Sequence, residues 1–237
     1  MNHNVVFSQK KRYISAIMVP IVTFIGWHDS GKTTLASEVV RHLKQLGYQV
    51  AVIKSTKETG IAFDTPGTDT DTHRMAGADA VMLVAPDQMV MMTDNSGQSL
   101  TTLAYRYFPE VDIVIGEGFK KARQVAKIEV FRNSKQLLRD QVSGVIAVAS
   151  DEKVSGDYIF RLNEAAEITS FIEKRFLQDA AKEGDHTTLL VNGNRVPMKD
   201  FVQDALAGTV KGLVGSLKLG NKDMNTIEIR INLPHNS

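Results

Sequence analysis

Val22 to Thr34 reads VTFIGWHDSGKTT. An apolar, β-branched run ends at Gly26, and the spacing Gly26-x-x-x-x-Gly31-Lys32-Thr33 follows at once. A strand before this spacing and a helix after it are the context in which it forms a phosphate loop. Each residue type has a physical role there. Gly26 and Gly31 let the backbone turn tightly and bring its N–H groups up to phosphate oxygens. The helix opening near Gly31 directs unpaired N–H groups and the positive end of its dipole at the same anion. Lys32 is expected to reach the β- and γ-phosphates, and the Thr33 hydroxyl to coordinate Mg²⁺. Asp29, Ser30 and Thr34 complete the expected cradle.

Around this loop the composition is that of an ordinary globular chain: 237 residues, 43% hydrophobic and 23% charged. The length allows one large domain, or one with a small appendage. A net charge of +1 gives no bulk signal for nucleic acid or a membrane surface. With no cysteine, disulfides, thiolate metal sites and cysteine nucleophiles are excluded. Lys10-Lys11-Arg12 followed by Tyr13–Ile25 has some character of a secretory leader, but Pro20 interrupts the apolar run and no small-residue cleavage site follows. The run feeds the phosphate loop instead, so the expected location is cytoplasmic. Residues 1–17 are read as a polar lead-in.

Beyond the loop, a helix is expected over Lys32–Leu46 with Gly47 as its C-terminal cap. Val50–Ile53 reads as a strand, taken as central, that ends at Lys54. A long polar loop over Ser55–Thr72 contains Asp64, Asp69 and Asp71, and a short helix is expected at His73–Ala76. Asp79–Ala85 and Gln88–Met92 read as strands joined by a Pro86-Asp87 turn. Ser99–Phe108 reads as a helix. Val111–Ile115, Lys127–Phe131 and Val145–Ala149 read as further strands, before a helix from Asn163, as N-cap, to Leu177. This alternation predicts an α/β fold of the P-loop NTPase type, a mostly parallel twisted sheet with helices on both faces, over residues 18–178. Ligands then bind at the carboxyl ends of the strands, where Lys54, Glu117 and Asp151 fall.

Composition changes at Asp179–His186. Thr188–Val191 and Arg195–Met198 flank Asn192-Gly193-Asn194, a hairpin signal. Val202 to Leu217 carries apolar residues at helical spacing, and Ile227, Ile229 and Ile231 alternate like a strand with one wet face. The expectation is a small ββαβ, α+β domain over 186–237 that leans on the main domain or on another copy. Gly208, Gly212 and Gly215 suggest close helix packing, with approach of a ligand or partner as the alternative.

Several further positions could carry chemistry. Glu117, at the end of its strand, is placed to hold Mg²⁺ through water or to orient an attacking water. Asp64, Asp69 and Asp71 could complete the Mg²⁺ shell, or could serve only to build turns. Lys54, and less so Lys120 and Lys121, could add charge around phosphates. Asp151 could accept the paired N–H donors of guanine, although the Asn-Lys-x-Asp motif is absent and spacing alone does not separate GTP from ATP. Trp27 reads as packing or as a cover over the phosphates.

The ordered series Gly31-Lys32-Thr33-Thr34, Gly47-Tyr48-Gln49-Val50-Ala51-Val52-Ile53-Lys54, Phe63-Asp64-Thr65-Pro66-Gly67 with Asp69, His73-Arg74-Met75-Ala76-Gly77-Ala78, Gly116-Glu117-Gly118-Phe119-Lys120 and Lys127-Ile128-Glu129-Val130 resembles the MobB family of molybdopterin-guanine dinucleotide biosynthesis adaptors. The resemblance covers about Val19 to Phe176. It implies a dimeric GTP-binding protein with weak hydrolysis, in which Lys32 and Glu117 act on the phosphates, and Thr33, Asp64 and Glu117 lie near Mg²⁺. It also implies assistance to a MobA-like guanylyltransferase that joins GMP to molybdopterin. The sequence departs from the family at Ser55–Glu58, where many members carry histidines, and at Thr68, where many carry lysine. A small-molecule kinase and a nucleotide-controlled scaffold are the alternative readings.

Overall fold

The computed structural model describes residues 19–133, 136–178, 187–191, 194–196, 198–217, 226–229 and 231. The expected lead-in, the Asp179–His186 junction and the Asn192-Gly193 turn lie outside them.

β1 (Ile21–Gly26) is buried along almost its whole length, which makes it the axis of the fold. A six-stranded sheet forms around it in the order β2-β5-β1-β6-β7-β8, where β2 is Val50–Lys54, β5 Ile113–Glu117, β6 Ala126–Val130, β7 Val145–Ala149 and β8 Ile159–Phe160. All its pairings are parallel. Parallel neighbours require crossovers, and these carry helices on both faces. α1 (Lys32–Gln45) and α4 (Ala165–Ile172) bury Leu35, Val39, Leu43, Ile168 and Ile172 against Val22, Phe24, Ile113, Ile115, Ile128 and Val130. The opposite face packs Ala104 of α3 (Leu100–Tyr107) against Ala51 and Val114. The P-loop α/β expectation therefore stands, with most element boundaries within two residues.

Several details differ. β2 is an edge strand, not a central one. β3 (Ala80–Val84) and β4 (Met89–Thr93) pair only with each other, antiparallel, and stay outside the main sheet. The short helix, α2, starts at Asp69, not His73, because Thr68 caps it by accepting from the Asp71 N–H. Thr68 thus supplies the helix cap. Asn163 is not a cap: Glu164 bonds back to the Arg161 N–H and closes a turn around it, and α4 begins at Ala165. That helix ends in a π-helical turn, Glu173–Leu177. The cap at Gly47 holds: the Gly47 and Tyr48 amides donate to the Lys44 and Leu43 carbonyls.

In the C-terminal segment β9 (Leu190–Val191) pairs antiparallel with β10 (Asn194–Arg195), and α5 spans Asp200–Gly215. No strand forms at 226–229, where Ile227 and Ile229 lie in irregular chain, because the alternating run has no neighbouring strand among the described residues to pair with. The glycines of α5 do not mark close packing among the described residues, where a Cβ at Gly208, Gly212 or Gly215 would meet nothing within 4 Å.

Candidate functional site

The carboxyl end of β1, between β5 and β6, opens into the phosphate loop. A side chain at Gly26 would collide with the Val130 carbonyl oxygen at 2.4 Å and with Ser30 Oγ at 2.5 Å, so this position can only be glycine. Asp29 and Gly31 both hold positive φ, 56° and 88°, which curls the chain into a concave row of amides. Ser30 is buried and supports the curve from beneath. Asp29 itself faces outward, paired with His28 at 2.7 Å. Gly31 is the N-cap of α1, and no side chain caps that helix, so its first amides face the cradle.

Three predicted residues converge beside it. Thr33 Oγ1 donates to Glu117 Oε1 at 2.7 Å, and Lys54 Nζ lies 3.3 Å from the same oxygen. They meet because β2 and β1 both pair with β5 and align Lys54 and Phe24 with Glu117. Lys54 thus reaches the site from the sheet edge. Lys32 arches back over the loop, with Nζ donating to the Trp27 carbonyl at 2.5 Å. Burial first, and then the charge of Lys120 with Lys54 adding, holds the Lys32 ammonium below the ordinary lysine range; Glu117 and Asp29 oppose this. Thr34, exposed on the first turn of α1, borders the cradle.

Trp27, read as packing or as a cover, is anchored beside the loop. Its indole Nε1 donates to the Gln136 carbonyl at 2.8 Å, and Lys120 Nζ rests 4.6 Å from the ring centroid.

Asp64 is not drawn into this cluster. Its Oδ1 accepts from the Thr65 amide and Thr68 Oγ1, and its Oδ2 from Thr70 Oγ1, all within its own loop. Those bonds, led by Thr70, hold its carboxyl below the usual range. Asp71 is likewise occupied by the Gly67 amide and Arg74. Asp69 is simply the first residue of α2. Asp151 ends at β7, two strands from β1, and accepts from the Leu162 amide at 3.1 Å. Among the described residues no group of three or more His, Asp or Glu could hold a metal by itself.

Two functional supports were not read from the sequence. Lys127 and Glu129 alternate with Ile128 and Val130 on β6 and are fully buried on the other face. Lys127 Nζ donates to the carbonyls of Ala122, Val125 and Ser143. Glu129 accepts from the amides of Leu138 and Arg139, at the start of the 3-10 turn Leu138–Asp140. They fasten the loops that carry Lys120 and the Gln136 carbonyl. Charged residues at i and i+2 inside an otherwise buried strand were the available signal.

Residues 21–151, more than half of the chain, match the family described as MobB, molybdopterin guanine dinucleotide synthesis protein B. The chain belongs to the MobB family. A molybdopterin-guanine dinucleotide biosynthesis adapter protein of Escherichia coli is 30% identical over 65% of this chain and 92% of its own length. A putative adapter of the same description from Methanocaldococcus jannaschii is 26% identical over 90% of this chain and 97% of its own, so that relative extends over the C-terminal segment too. Among solved structures, a molybdopterin-guanine biosynthesis protein B aligns with a TM-score of 0.55 at 29% identity, covering 65% of this chain and 98% of the other. Bacillus subtilis MobB, 23% identical with a TM-score of 0.55, shares the fold over 67% of the chain and 99% of its own.

Proposed function

We propose that this chain is an adapter of molybdopterin guanine dinucleotide synthesis that binds GTP with Mg²⁺ in the cradle at residues 26–34 and hydrolyses it weakly. The observation that carries the reading is the 2.7 Å contact between Thr33 and Glu117 beside Lys32. A hydroxyl and a carboxylate meet at the mouth of a row of inward amides, which is the arrangement a triphosphate and its metal need. Bound Mg²⁺ would neutralise charge shared between the β- and γ-phosphates. Thr33 and Glu117 would hold it, Lys32 would turn from the Trp27 carbonyl to phosphate oxygen, and Lys54 would add a second cation. Asp64, committed to its own loop, would join the metal shell only after giving up the Thr70 bond. Asp151 keeps one carboxylate oxygen for a base.

Guanine, the MobA-like guanylyltransferase, molybdopterin and a cytoplasmic setting follow from family membership and are part of the proposal. No helix among the described residues is long and apolar enough to cross a membrane. A homodimer is supported by the β3–β4 ribbon. Leu83 and Val84 on one strand, and Met89 and Val90 on the other, are exposed on both faces, and a lone two-stranded ribbon is marginal in water.

Calorimetric titration of the purified chain with GTP and with ATP, each with Mg²⁺, tests the reading. GTP is expected to bind more tightly, and Lys32→Ala to abolish binding. Equal affinity for ATP with transfer to a small acceptor would instead favour a kinase.

A further inference from the structure

We propose that Lys120 is the residue by which this cradle distinguishes a triphosphate from a diphosphate, resting on the Trp27 ring until a γ-phosphate draws it away. The inference rests on reading residues 26–34 as a nucleotide phosphate site and adds to it a specificity-determining side chain.

Trp27 is the first residue of the loop after Gly26, and two lysines dock on it. Lys32 Nζ takes its carbonyl at 2.5 Å, and Lys120 Nζ stands over its ring at 4.6 Å. The ring cannot swing with the lysine, because the indole N–H is pinned to the Gln136 carbonyl. Trp27 is therefore a platform anchored at its N–H, with a cation resting on its ring.

Lys120 is delivered there by a strained turn. Gly118 and Phe119 both have positive φ, 93° and 49°. Phenylalanine rarely adopts that conformation, and such residues persist only where the surroundings over-determine them. Here they do. The Gly118 amide donates to the Phe24 carbonyl at 2.9 Å, and Thr23 Oγ1 donates to the Gly118 carbonyl at 3.1 Å. Downstream, the Ala122 amide donates to the Phe119 carbonyl, and buried Lys127 holds the Ala122 carbonyl at 2.6 Å. Tied at both ends, the turn places Lys120 on the phosphate loop and not out in solvent.

Its position points to the γ-phosphate. Glu117 touches Thr33, so the end of β5 lies on the metal side of the cradle. A Mg²⁺ held by Thr33 and Glu117 would neutralise charge on the terminal phosphates, and Lys120 follows Glu117 by three residues on the turn that ends at the phosphate loop. The charges agree. Lys120 makes no ion pair among the described residues. Glu129, the acid whose charge reaches it, spends both oxygens on backbone amides. Burial and the charge of Lys57 press its ammonium below the ordinary lysine range. A cation so placed exchanges a weak contact with a ring face for a charge-assisted bond to phosphate oxygen.

Trp27 is the chain's only tryptophan, so its fluorescence reports the platform directly. The full-length protein is titrated with GDP and with a non-hydrolysable GTP analogue, both with Mg²⁺. The expected result is a fluorescence change with the analogue that GDP does not produce, and tighter binding of the analogue. Lys120→Met should bind GDP within about twofold of the unaltered chain yet lose about tenfold in affinity for the analogue, with the analogue-specific signal gone. Lys120→Arg should keep part of the preference. An unchanged ratio of analogue to GDP affinity in Lys120→Met overturns the inference and leaves the phosphate site standing. Failure of the unaltered chain to bind either nucleotide overturns both.

Discussion

Thr33 and Glu117 share a single hydrogen bond, and on it the reading of the cradle as a metal-nucleotide site turns. Glu117→Gln keeps the shape but removes the charge that faces Lys54 and a bound metal. Losing a charged partner of this kind is expected to weaken Mg²⁺-dependent GTP binding by roughly 10- to 100-fold, with little change in its metal-free component. Calorimetry with and without Mg²⁺ measures both. Lys32 supplies a pH prediction. Its ammonium is held below the ordinary lysine value, and the protonated form is the one that binds phosphate. Affinity is therefore complete below that lowered value and declines as pH rises through it, before an ordinary lysine would titrate. Proton uptake on binding at alkaline pH, read from the dependence of binding heat on the buffer, checks the sign.

At the scale of elements, β6 and the β3–β4 ribbon make opposite demands. β6 carries Lys127, whose ammonium is saturated by backbone carbonyls from two loops. Lys127→Met leaves those carbonyls buried without donors and is expected to cost about 3 kcal/mol of folding stability, measurable by urea titration. The ribbon leaves the apolar side chains of Leu83, Val84, Met89 and Val90 exposed. If it forms the dimer contact, Leu83→Asp should shift the protein from dimer to monomer in sedimentation without loss of GTP binding. The segment from Asp64 to Asp71 supplies a second pH prediction. Asp64 and Asp71 are held below the usual carboxyl range by their hydrogen bonds, so their contribution is present above the ordinary value and is lost as pH falls through the lowered one. Amide protection across 64–75, taken relative to the intrinsic exchange rate at each pH, should fall on acidification before that of the sheet.

Across the whole molecule, one parallel sheet positions the phosphate site, through the ends of β2 and β5 and the loop from β1 into α1, and the segment after 186 contributes none of the site contacts described. α5 leaves Phe201 and Leu213 mostly exposed, 69% and 61%, so this helix presents apolar surface in the single chain. A chain ending at Gln178 is expected to bind GTP within about twofold of full length, since distant sites are nearly additive. Should the truncated chain also keep its oligomeric state and its partner binding, the tail is not the docking element; loss of either would favour the scaffold reading.

The loop spacing at 26–33, the apolar strands and the order of elements were decided by local chemistry: glycine placement, β-branched runs and amphipathic helices act over a few residues and can be read in line. For that reason the fold class, Thr33, Lys32 and Glu117 were legible in the chain itself. What lay beyond it depended on contacts between residues far apart in sequence. The edge position of β2, the isolation of the β3–β4 ribbon, the burial of Lys127 and Glu129, and the seating of Lys120 on Trp27 all arise from strand order and loop closure. Strand order is set by which surfaces bury best together in three dimensions, and no local pattern encodes that competition.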